Sequence, residues 1–418
     1  MAAVKTAAAV VAVLLAGLAA ACAGGDDGVE PVASRQCAPL LYEGEGEPDV
    51  IVVSDFPRRG VGAKTTELMV GAIEFVLRKH HFRAGELQVG YQSCNDTFGD
   101  EPFDASLCRK NATAYAATEA VVGILGPWNS GCAFTQIPIL SRREAGPLAM
   151  ISPSNTNPEL TRPPTSEQLY ADGVRNYARV VTHDLAQGAG SAYLAKLLGA
   201  RRAVVLEEKA EAYYAGHLTA SFLAAARALG IDTTRLEWPM QERYADLATQ
   251  VAALHPDVVY LAGLTQGNAK ALVEDLRAAL PNVQLLAPDG FAHSEVARGL
   301  GAAGEGMLVT AAGIPPELLP ATGKEFVREF GTAVDDPGFL GAPEAAQATE
   351  VLLDAIARSD GTRASVVDEL FATKVENGIL GSFAFDRVGD IVPAPIGVYR
   401  FENGKIVAHD VVRPPGAS

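Results

Sequence analysis

The sequence has few basic residues for its length. Its 34 lysines and arginines are outnumbered by 50 aspartates and glutamates, which gives a formal net charge of −16. Nucleic acids and anionic lipid surfaces attract basic proteins, so this balance argues against both kinds of partner. The excess of acid otherwise indicates a well-solvated surface. We expect no nucleic-acid binding.

The chain also lacks the short motifs of common enzyme classes, since it contains no GxSxG, HExxH or GxxxxGK[ST]. A GxGxxG run extends from Gly299 to Gly304, but it follows a predicted helix and precedes a predicted strand. A dinucleotide site needs the reverse order, so this run is interpreted as a loop. The histidines are scattered except for His80 and His81. We therefore expect no enzyme activity, no cofactor and no metal site.

Cysteines are scarce, and the first of the five lies at an unusual place. Cys22 follows an apolar run that ends in three alanines and is shorter than a comfortable membrane span. Such a run predicts an export signal over residues 1–21. A cysteine directly after the small residues further predicts lipid attachment at Cys22. The alternative is a plain signal peptide followed by an incidental cysteine.

Four cysteines remain, and no pair of them has the CxxC spacing of a zinc site. An even number in an exported chain predicts two disulfides, for which three pairings exist. Cys94–Cys108 would close a short loop and leave Cys37–Cys132 as the second bond. The alternative is Cys94–Cys132 with Cys37–Cys108, because Cys94 and Cys132 both follow predicted strands.

From residue 49 onward, short β-rich runs alternate with helical patterns. The strand "DVIVVSD" precedes a helix that carries Leu68, Met69, Ala72, Ile73 and Val76 on one stripe. Strand, helix and strand in this rhythm predict an α/β fold with a parallel sheet. The pattern restarts near residue 184, so we expect two such sheets in tandem. The tail then returns as strands with a turn at "ENGK".

These patterns divide the chain into two lobes that exchange segments. The predicted parts are a signal peptide (1–21), a lipidated tether and N-terminal extension (22–48), lobe 1 (49–178 plus 312–385) and lobe 2 (179–311 plus 386–418). The chain is expected to cross between the lobes three times, near 177–184, 311–315 and 384–389.

Two strand-to-helix junctions carry small hydroxyl and amide residues with almost no charge. "GPWNSG" brings Ser130 to the carboxyl end of one strand, and "ISPSNTNPEL" brings Ser154, Asn155 and Thr156 to the end of the next. Ligands of parallel sheets lie at these ends, where helix N-termini direct free amides outward. Neutral donors without a fixed cation suit a carboxylate. The alternative is ordinary helix capping, which needs no ligand.

In its α/β halves and in these two motifs, the sequence resembles the substrate-binding lipoproteins of branched-chain amino acid ABC transporters. "VRNYARVVTHDLAQG", "APDG" and "EGMLVT" are similar in order and spacing, and the resemblance covers residues 49–410. It implies the type I periplasmic binding protein fold: two Rossmann-like lobes with parallel central sheets, joined by a hinge of three crossings.

The resemblance also implies roles for single residues. The hydroxyl and backbone N–H of Ser130 and Thr156 would hold an amino-acid carboxylate, and the Ser154 carbonyl would accept from the ammonium. Asp289, which follows a predicted strand in "LLAPDGF", would pair with that ammonium. The alternative for Asp289 is a Pro-Asp-Gly turn that bonds only its own backbone.

Three positions depart from the family pattern. Tyr213 stands where the family has a tyrosine that closes over the ligand, but Tyr214 replaces the glycine that should follow, so either tyrosine could take that role. An aromatic residue of the family would fall at Leu264 or Thr265, and neither of these is aromatic. Trp128 enlarges a position that lines the apolar pocket.

Taken together, the resemblance implies an exported, lipid-anchored solute-binding protein that delivers a small amino acid to an ABC permease. It would be a monomer that closes its lobes around the ligand and touches the membrane only through its lipid. A ligand-sensing domain of a signalling system, built on the same fold, is the alternative.

Overall fold

A computed structural model describes residues 29–60, 62–142, 146–171, 173–265, 267–331 and 341–414. The predicted signal segment 1–21, Cys22 and the first residues of the predicted tether lie outside these ranges. In the described part of the chain, no helix is both long enough and apolar enough to cross a membrane.

The first segment of the chain builds a six-stranded sheet, here called the lobe 1 sheet. Its elements are β1 (Val50–Phe56), α1 (Ala63–Lys79), β2 (Arg83–Ala84), β3 (Leu87–Asn95), α2 (Ala105–Ala117), β4 (Val121–Leu125), α3 (Ser130–Leu140), β5 (Ala149–Ser152), α4 (Thr165–Leu169) and β6 (Tyr177–Arg179). The strand order is β2-β3-β1-β4-β5-β6, and all neighbours except the β2–β3 hairpin are parallel. Alternate residues of β1, such as Ile51 and Val52, lie in different apolar cores, so both faces of the sheet are covered.

The second segment repeats this plan and forms most of the lobe 2 sheet. Its elements are α5 (Asp184–Leu197), β7 (Arg202–Glu208), α6 (Ala212–Ala228), β8 (Asp232–Trp238), α7 (Ala245–Ala253), β9 (Val258–Ala262), α8 (Ala269–Ala279), β10 (Gln284–Ala287), α9 (Ser294–Leu300) and β11 (Leu308–Ala311). These strands pair in parallel, in the order β11-β10-β9-β7-β8. The GxGxxG run covers the last two residues of α9 and the short 3₁₀ turn that follows it. It thus follows a helix and precedes β11, which is the order predicted from the sequence.

The last segment returns first to lobe 1 and then to lobe 2. It comprises α10 (Ala321–Phe330), α11 (Ala342–Arg358), α12 (Arg363–Phe371), β12 (Lys374–Gly378), β13 (Gly381–Phe385), β14 (Ile391–Val392), β15 (Ile396–Glu402) and β16 (Lys405–Val412). Its helices pack into the lobe 1 core, and β12–β14 form a small antiparallel sheet beside them. The β15–β16 hairpin turns at Asn403-Gly404, both at positive φ, and extends the lobe 2 sheet from β11. The prediction of two α/β lobes is confirmed.

Two of the three crossings lie where the sequence predicts them, at residues 180–183 and 312–315. The third was predicted near 384–389, with lobe 2 resuming at 386, and this prediction is wrong. The Asp386 carboxylate accepts from the N–H groups of Val388 and Asp390, which folds the chain back so that β14 pairs with β13. Ile391 then packs in the lobe 1 core, and the chain crosses at 393–395.

Two disulfides are present, but neither predicted pairing is correct. The bonds are Cys37–Cys94 and Cys108–Cys132. Residues 37–41 run antiparallel to β3, with Ala38 N–H donating to Ser93 O at 2.8 Å, and this brings Cys37 against Cys94. Cys108 and Cys132 meet because the adjacent helices α2 and α3 carry them in their first turns. The neighbouring elements decide the pairing, whereas loop length along the sequence does not.

Candidate functional site

The lobe 1 wall of the cleft between the lobes consists of two loops that are bonded to each other. The Ser152 hydroxyl donates to Pro127 O at 3.0 Å and accepts from the N–H groups of Ser154 and Asn155. Trp128 O accepts from the Ser154 hydroxyl at 2.8 Å and from Asn155 Nδ2 at 2.7 Å. These bonds hold the loop after β4 and the loop after β5 as one surface.

The N-terminus of α3 opens onto this surface. Asn129 caps the helix, as its Oδ1 accepts from Gly131 N–H at 2.8 Å. The Ser130 hydroxyl next to it accepts a long contact from Asn157 N–H, at 3.5 Å. An eleven-residue helix concentrates positive potential and free N–H groups at this end. The lobe 1 wall is thus suited to an anion.

The lobe 2 wall carries a carboxylate. Asp289 follows β10 in a short helical turn, and Gln187 Nε2 donates to its Oδ1 at 3.1 Å. The Tyr214 hydroxyl, from the first turn of α6, donates to the same oxygen. Burial raises the pKa of Asp289, while these two hydrogen bonds and the nearby His293 act to lower it. This wall is suited to a cation.

A second carboxylate lies behind the floor of the cleft, at the first crossing. Asp184 is the first residue of α5, and its N–H donates to Thr156 O at 2.9 Å. The Oδ1 of Asp184 is buried and has no hydrogen-bond partner, and the Thr156 side chain acts to lower the pKa of this carboxyl group. Burial and then the charge of Asp289 raise the pKa of Asp184 well above its ordinary value.

Both walls face one cavity of about 260 Å³. Lobe 1 contributes Trp128, Asn129, Ser130, Ser154 and Thr156. Lobe 2 contributes Tyr214, Leu264, Asp289, Gly290 and His293, and the second crossing contributes Ala312. None of these described lining residues is a lysine or an arginine. The cavity therefore places neutral donors opposite a carboxylate, with apolar surface between them.

A larger groove of about 840 Å³ lies at the other end of the lobe 1 sheet. Its charged lining residues are Glu30, Asp49 and Glu119, and all its described lining residues belong to lobe 1 or to the N-terminal extension. This groove is larger than the cavity between the lobes. Its described lining residues, however, do not place hydrogen-bond donors on one wall opposite a carboxylate on another. The cavity between the lobes is the better candidate site.

Five of the seven residues predicted from the sequence line that cavity, namely Trp128, Ser130, Ser154, Thr156 and Asp289. Asn155 does not, because it is fully buried behind the wall, where its Oδ1 accepts from the Tyr177 hydroxyl. Tyr213 does not line it either. Its side chain is 56% exposed, and its hydroxyl accepts from Asn157 Nδ2 at 3.4 Å across the mouth of the cleft. Tyr214 is the tyrosine that lines the cavity.

Asp184 and Gln187 are not among the residues predicted from the sequence. They stand three residues apart at the start of α5, so they share a helical face directed toward the cleft floor. This spacing is visible in "THDLAQG" and could have been used. His293 was also missed, because its position depends on the turn that follows Asp289.

Two α/β lobes, three connecting crossings and a polar cavity between them define a two-lobed solute-binding protein. The model of the family described as periplasmic binding protein matches residues 98–405. The chain therefore belongs to the periplasmic binding protein family, whose members bind solutes and are not enzymes.

Similar proteins agree with this assignment. The Leu/Ile/Val-binding protein BraC3 of Rhizobium johnstonii is 26% identical over 307 residues, which cover 70% of this chain and 78% of that protein. The leucine-binding protein LivK of Thermotoga maritima has a TM-score of 0.68 at 23% identity, covering 87% of this chain and 99% of its own. An ABC transporter solute-binding protein of R. palustris, solved with benzoate, has a TM-score of 0.64 at 19% identity, covering 87% and 96%.

Proposed function

We propose that this protein is the extracytoplasmic binding component of an ABC importer and captures a small α-amino acid of the branched-chain type. The observation that carries the proposal is the opposition of neutral donors on lobe 1 to the Asp289 carboxylate on lobe 2 within one cavity. A zwitterion has complementary charges at its two ends. A ligand with only one charge would leave one wall without a partner.

The ligand carboxylate would lie against lobe 1. The Ser130 hydroxyl, the N-terminus of α3 and the backbone N–H of Thr156 are the donors for it. The Thr156 hydroxyl is a further donor for this carboxylate, as the resemblance to the family implies.

The ligand ammonium would lie against lobe 2, with Asp289 as its counter-ion. A buried charge without a partner costs several kcal/mol, so the closed cleft requires such a group. Tyr214 and Gln187 hold the Asp289 carboxylate in place. Charge-assisted hydrogen bonds in a site that excludes water supply the affinity, and closure of the lobes brings both walls to the ligand.

The side chain of the ligand would meet Trp128, Leu264 and Ala312. Apolar walls favour an aliphatic side chain, and relatives named for leucine, isoleucine and valine support that choice. A second candidate ligand is a benzoate-type carboxylate, because a protein of the same fold was solved with benzoate. The aromatic ring of Trp128 in the cavity wall supports this candidate. Such a ligand has no ammonium, and Asp289 argues against it.

The remaining parts of the proposal concern export and partners. The run before Cys22 and the cysteine itself support a cleaved signal of residues 1–21 and a lipid anchor at Cys22. We further propose a monomer that docks on a membrane permease. Lobe boundaries at 178 and 312 belong to the proposal, with the third set at 393–395 as described above.

Isothermal titration of the purified protein tests the ligand class. Leucine, isoleucine and valine should bind, whereas 4-methylpentanoate, which has the leucine skeleton without the ammonium, should bind at least about 100-fold more weakly. Leucine amide, which lacks the carboxylate, tests the lobe 1 wall in the same way. Tight binding of benzoate with no binding of the three amino acids would favour the second candidate.

A further inference from the structure

Arg179, the last residue of β6, is fully buried behind the loop that carries Thr156. Its Nη1 donates to the carbonyl oxygens of Asn155 at 3.0 Å and Asn157 at 2.8 Å. These two carbonyls flank Thr156 on either side in the chain. One guanidinium group therefore fixes the backbone around a residue that lines the cavity.

The hold on Asn155 has a direct consequence for Thr156. The Asn155 carbonyl and the Thr156 N–H belong to the same peptide group, and in a trans peptide they point in opposite directions. Because Arg179 holds the Asn155 carbonyl on the side away from the cleft, the Thr156 N–H is directed toward the cleft. This N–H is one of the donors that the lobe 1 wall offers to a carboxylate.

The guanidinium is itself held by the segment that precedes the third crossing. Arg179 Nε donates to Asp390 Oδ1 at 2.8 Å, and Arg179 N–H donates to Gly389 O at 3.0 Å. The turn lies so close that a Cβ at Gly389 would come within 2.2 Å of Tyr177 O. Burial acts to raise the pKa of Asp390, but the charges of Arg179, His183 and Arg162 outweigh it and lower the pKa to about 2. Asp390 therefore stays ionised and compensates the buried arginine.

We propose that Arg179 is a positioning residue for ligand binding, which directs the Thr156 amide at the ligand carboxylate, and that Asp390 holds Arg179 in that geometry. The proposal rests on the proposed function for the identity of the ligand. It differs from a purely structural role, in which the Arg179–Asp390 pair would brace the hinge and leave the affinity of the folded protein unchanged.

Arg162 offers a matched control. It donates from Nε to Asp390 Oδ2 at 2.9 Å and from Nη2 to Asp386 at 3.2 Å, so it shares the carboxylate with Arg179. No hydrogen bond from Arg162 to the Asn155 or Asn157 carbonyl occurs in the described residues. Arg179→Lys and Arg162→Lys both keep a positive charge and both lose planar guanidinium contacts to Asp390. Only Arg179→Lys also loses the guanidinium hydrogen bonds to the Asn155 and Asn157 carbonyl oxygens.

Titration with leucine, below the melting temperature of each variant, separates the two roles. Arg179→Lys should weaken binding at least about tenfold, and Arg162→Lys less than about threefold. Asp390→Asn should weaken binding by an intermediate factor, because Arg179 loses its charged partner but keeps the loop carbonyls. Equal affinity of Arg179→Lys and wild type would overturn the proposal, whatever the melting temperatures.

A second measurement needs no ligand. The one-bond residual dipolar coupling of the Thr156 amide, measured by NMR on labelled and aligned protein, reports the direction of that N–H relative to the lobe 1 sheet. It should change in Arg179→Lys and match wild type in Arg162→Lys, and an unchanged coupling in both would overturn the proposal. If wild type binds no amino acid, the proposed function fails while this coupling still decides the role of Arg179.

Discussion

The lobe 1 wall of the cleft presents hydroxyl and N–H groups around Ser130 and Thr156, whereas the lobe 2 wall presents Asp289 supported by Tyr214 and Gln187. The two lobes share one sheet plan, yet they carry opposite chemistry at corresponding edges of their sheets. A zwitterion would be divided between them, so that neither lobe alone could satisfy both of its ends. The ligand would then favour closure, because it interacts with both walls at once.

The two lobes also differ in how they use buried acids. In lobe 1, the buried Asp55 accepts from Asn111 and Tyr115, and the buried Asp96 has no hydrogen-bond partner on either oxygen. Neither residue lines the cavity between the lobes. In lobe 2, Asp289 faces the cavity. The comparison indicates that Asp55 and Asp96 act on stability, whereas Asp289 acts on affinity.

Asp289→Asn should have the largest effect on binding. The change is nearly isosteric and keeps the fold, but it removes the counter-ion of the ammonium in a closed cleft. Leucine affinity should fall about 100- to 1,000-fold in calorimetric titration. Asp257→Asn, an exposed change in the same lobe, is the control and should retain wild-type affinity. If both variants bind equally well, lobe 2 does not hold an ammonium.

Asp96→Asn should change stability and leave affinity intact. Burial, and then the charge of Asp55, raise the pKa of Asp96 well above its ordinary value near 4. The folded protein thus binds this proton more tightly than the unfolded chain, so the stabilisation is complete below about pH 4 and is lost as the pH rises toward the folded-state pKa.

Urea unfolding at pH 5 and pH 8 checks this prediction. Between these two pH values, wild type should lose more stability than Asp96→Asn. At pH 8 the free energy of unfolding of the variant should exceed that of wild type by on the order of 1 kcal/mol. Parallel pH dependence of the two proteins would contradict it. A large loss of leucine affinity in the variant would contradict the assignment of Asp96 to stability.

Tyr214→Phe and Tyr213→Phe form a pair that tests which tyrosine belongs to the lobe 2 wall. The Tyr214 hydroxyl donates to Asp289, and its removal leaves a buried carboxylate with one donor fewer. Leucine binding should weaken about tenfold. Tyr213 has an exposed side chain, so removal of its hydroxyl group should change the affinity for leucine by less than about threefold. The reverse order in titration would assign the closing role to Tyr213.

Ser130→Ala should have a smaller effect than Tyr214→Phe, because its hydroxyl is one of several donors on the lobe 1 wall. We expect binding to weaken about three- to fivefold. Ser154→Ala is the matched control, since that hydroxyl already donates to Trp128 O and Asn155 holds the same carbonyl. A loss of 100-fold in Ser130→Ala would mean that lobe 1 relies on a single group.

Much of the fold and part of the site could be predicted from sequence patterns. Apolar strand runs followed by helical stripes predict parallel sheets, and polar residues at strand ends predict Ser130, Thr156 and Asp289 at one edge. What the patterns miss depends on contacts between distant segments. The disulfide pairing depends on an extension that runs beside β3, and the third crossing depends on a turn closed by Asp386. Asp184 is placed by packing at the cleft floor.

The path of the chain has a consequence for how the protein is made. Lobe 1 lacks α10, α11 and α12 until residues 321–371 exist, and lobe 2 lacks β15 and β16 until residues 396–412 exist. If the chain is exported from its N-terminus, the edge of β11 that pairs with β15 stays unpaired until nearly one hundred further residues have emerged. An unpaired strand edge is prone to associate with other chains. A nonsense change after residue 392 would leave lobe 1 complete and lobe 2 open along that edge. Such a product should be cleared by proteases or aggregate before it could bind a solute.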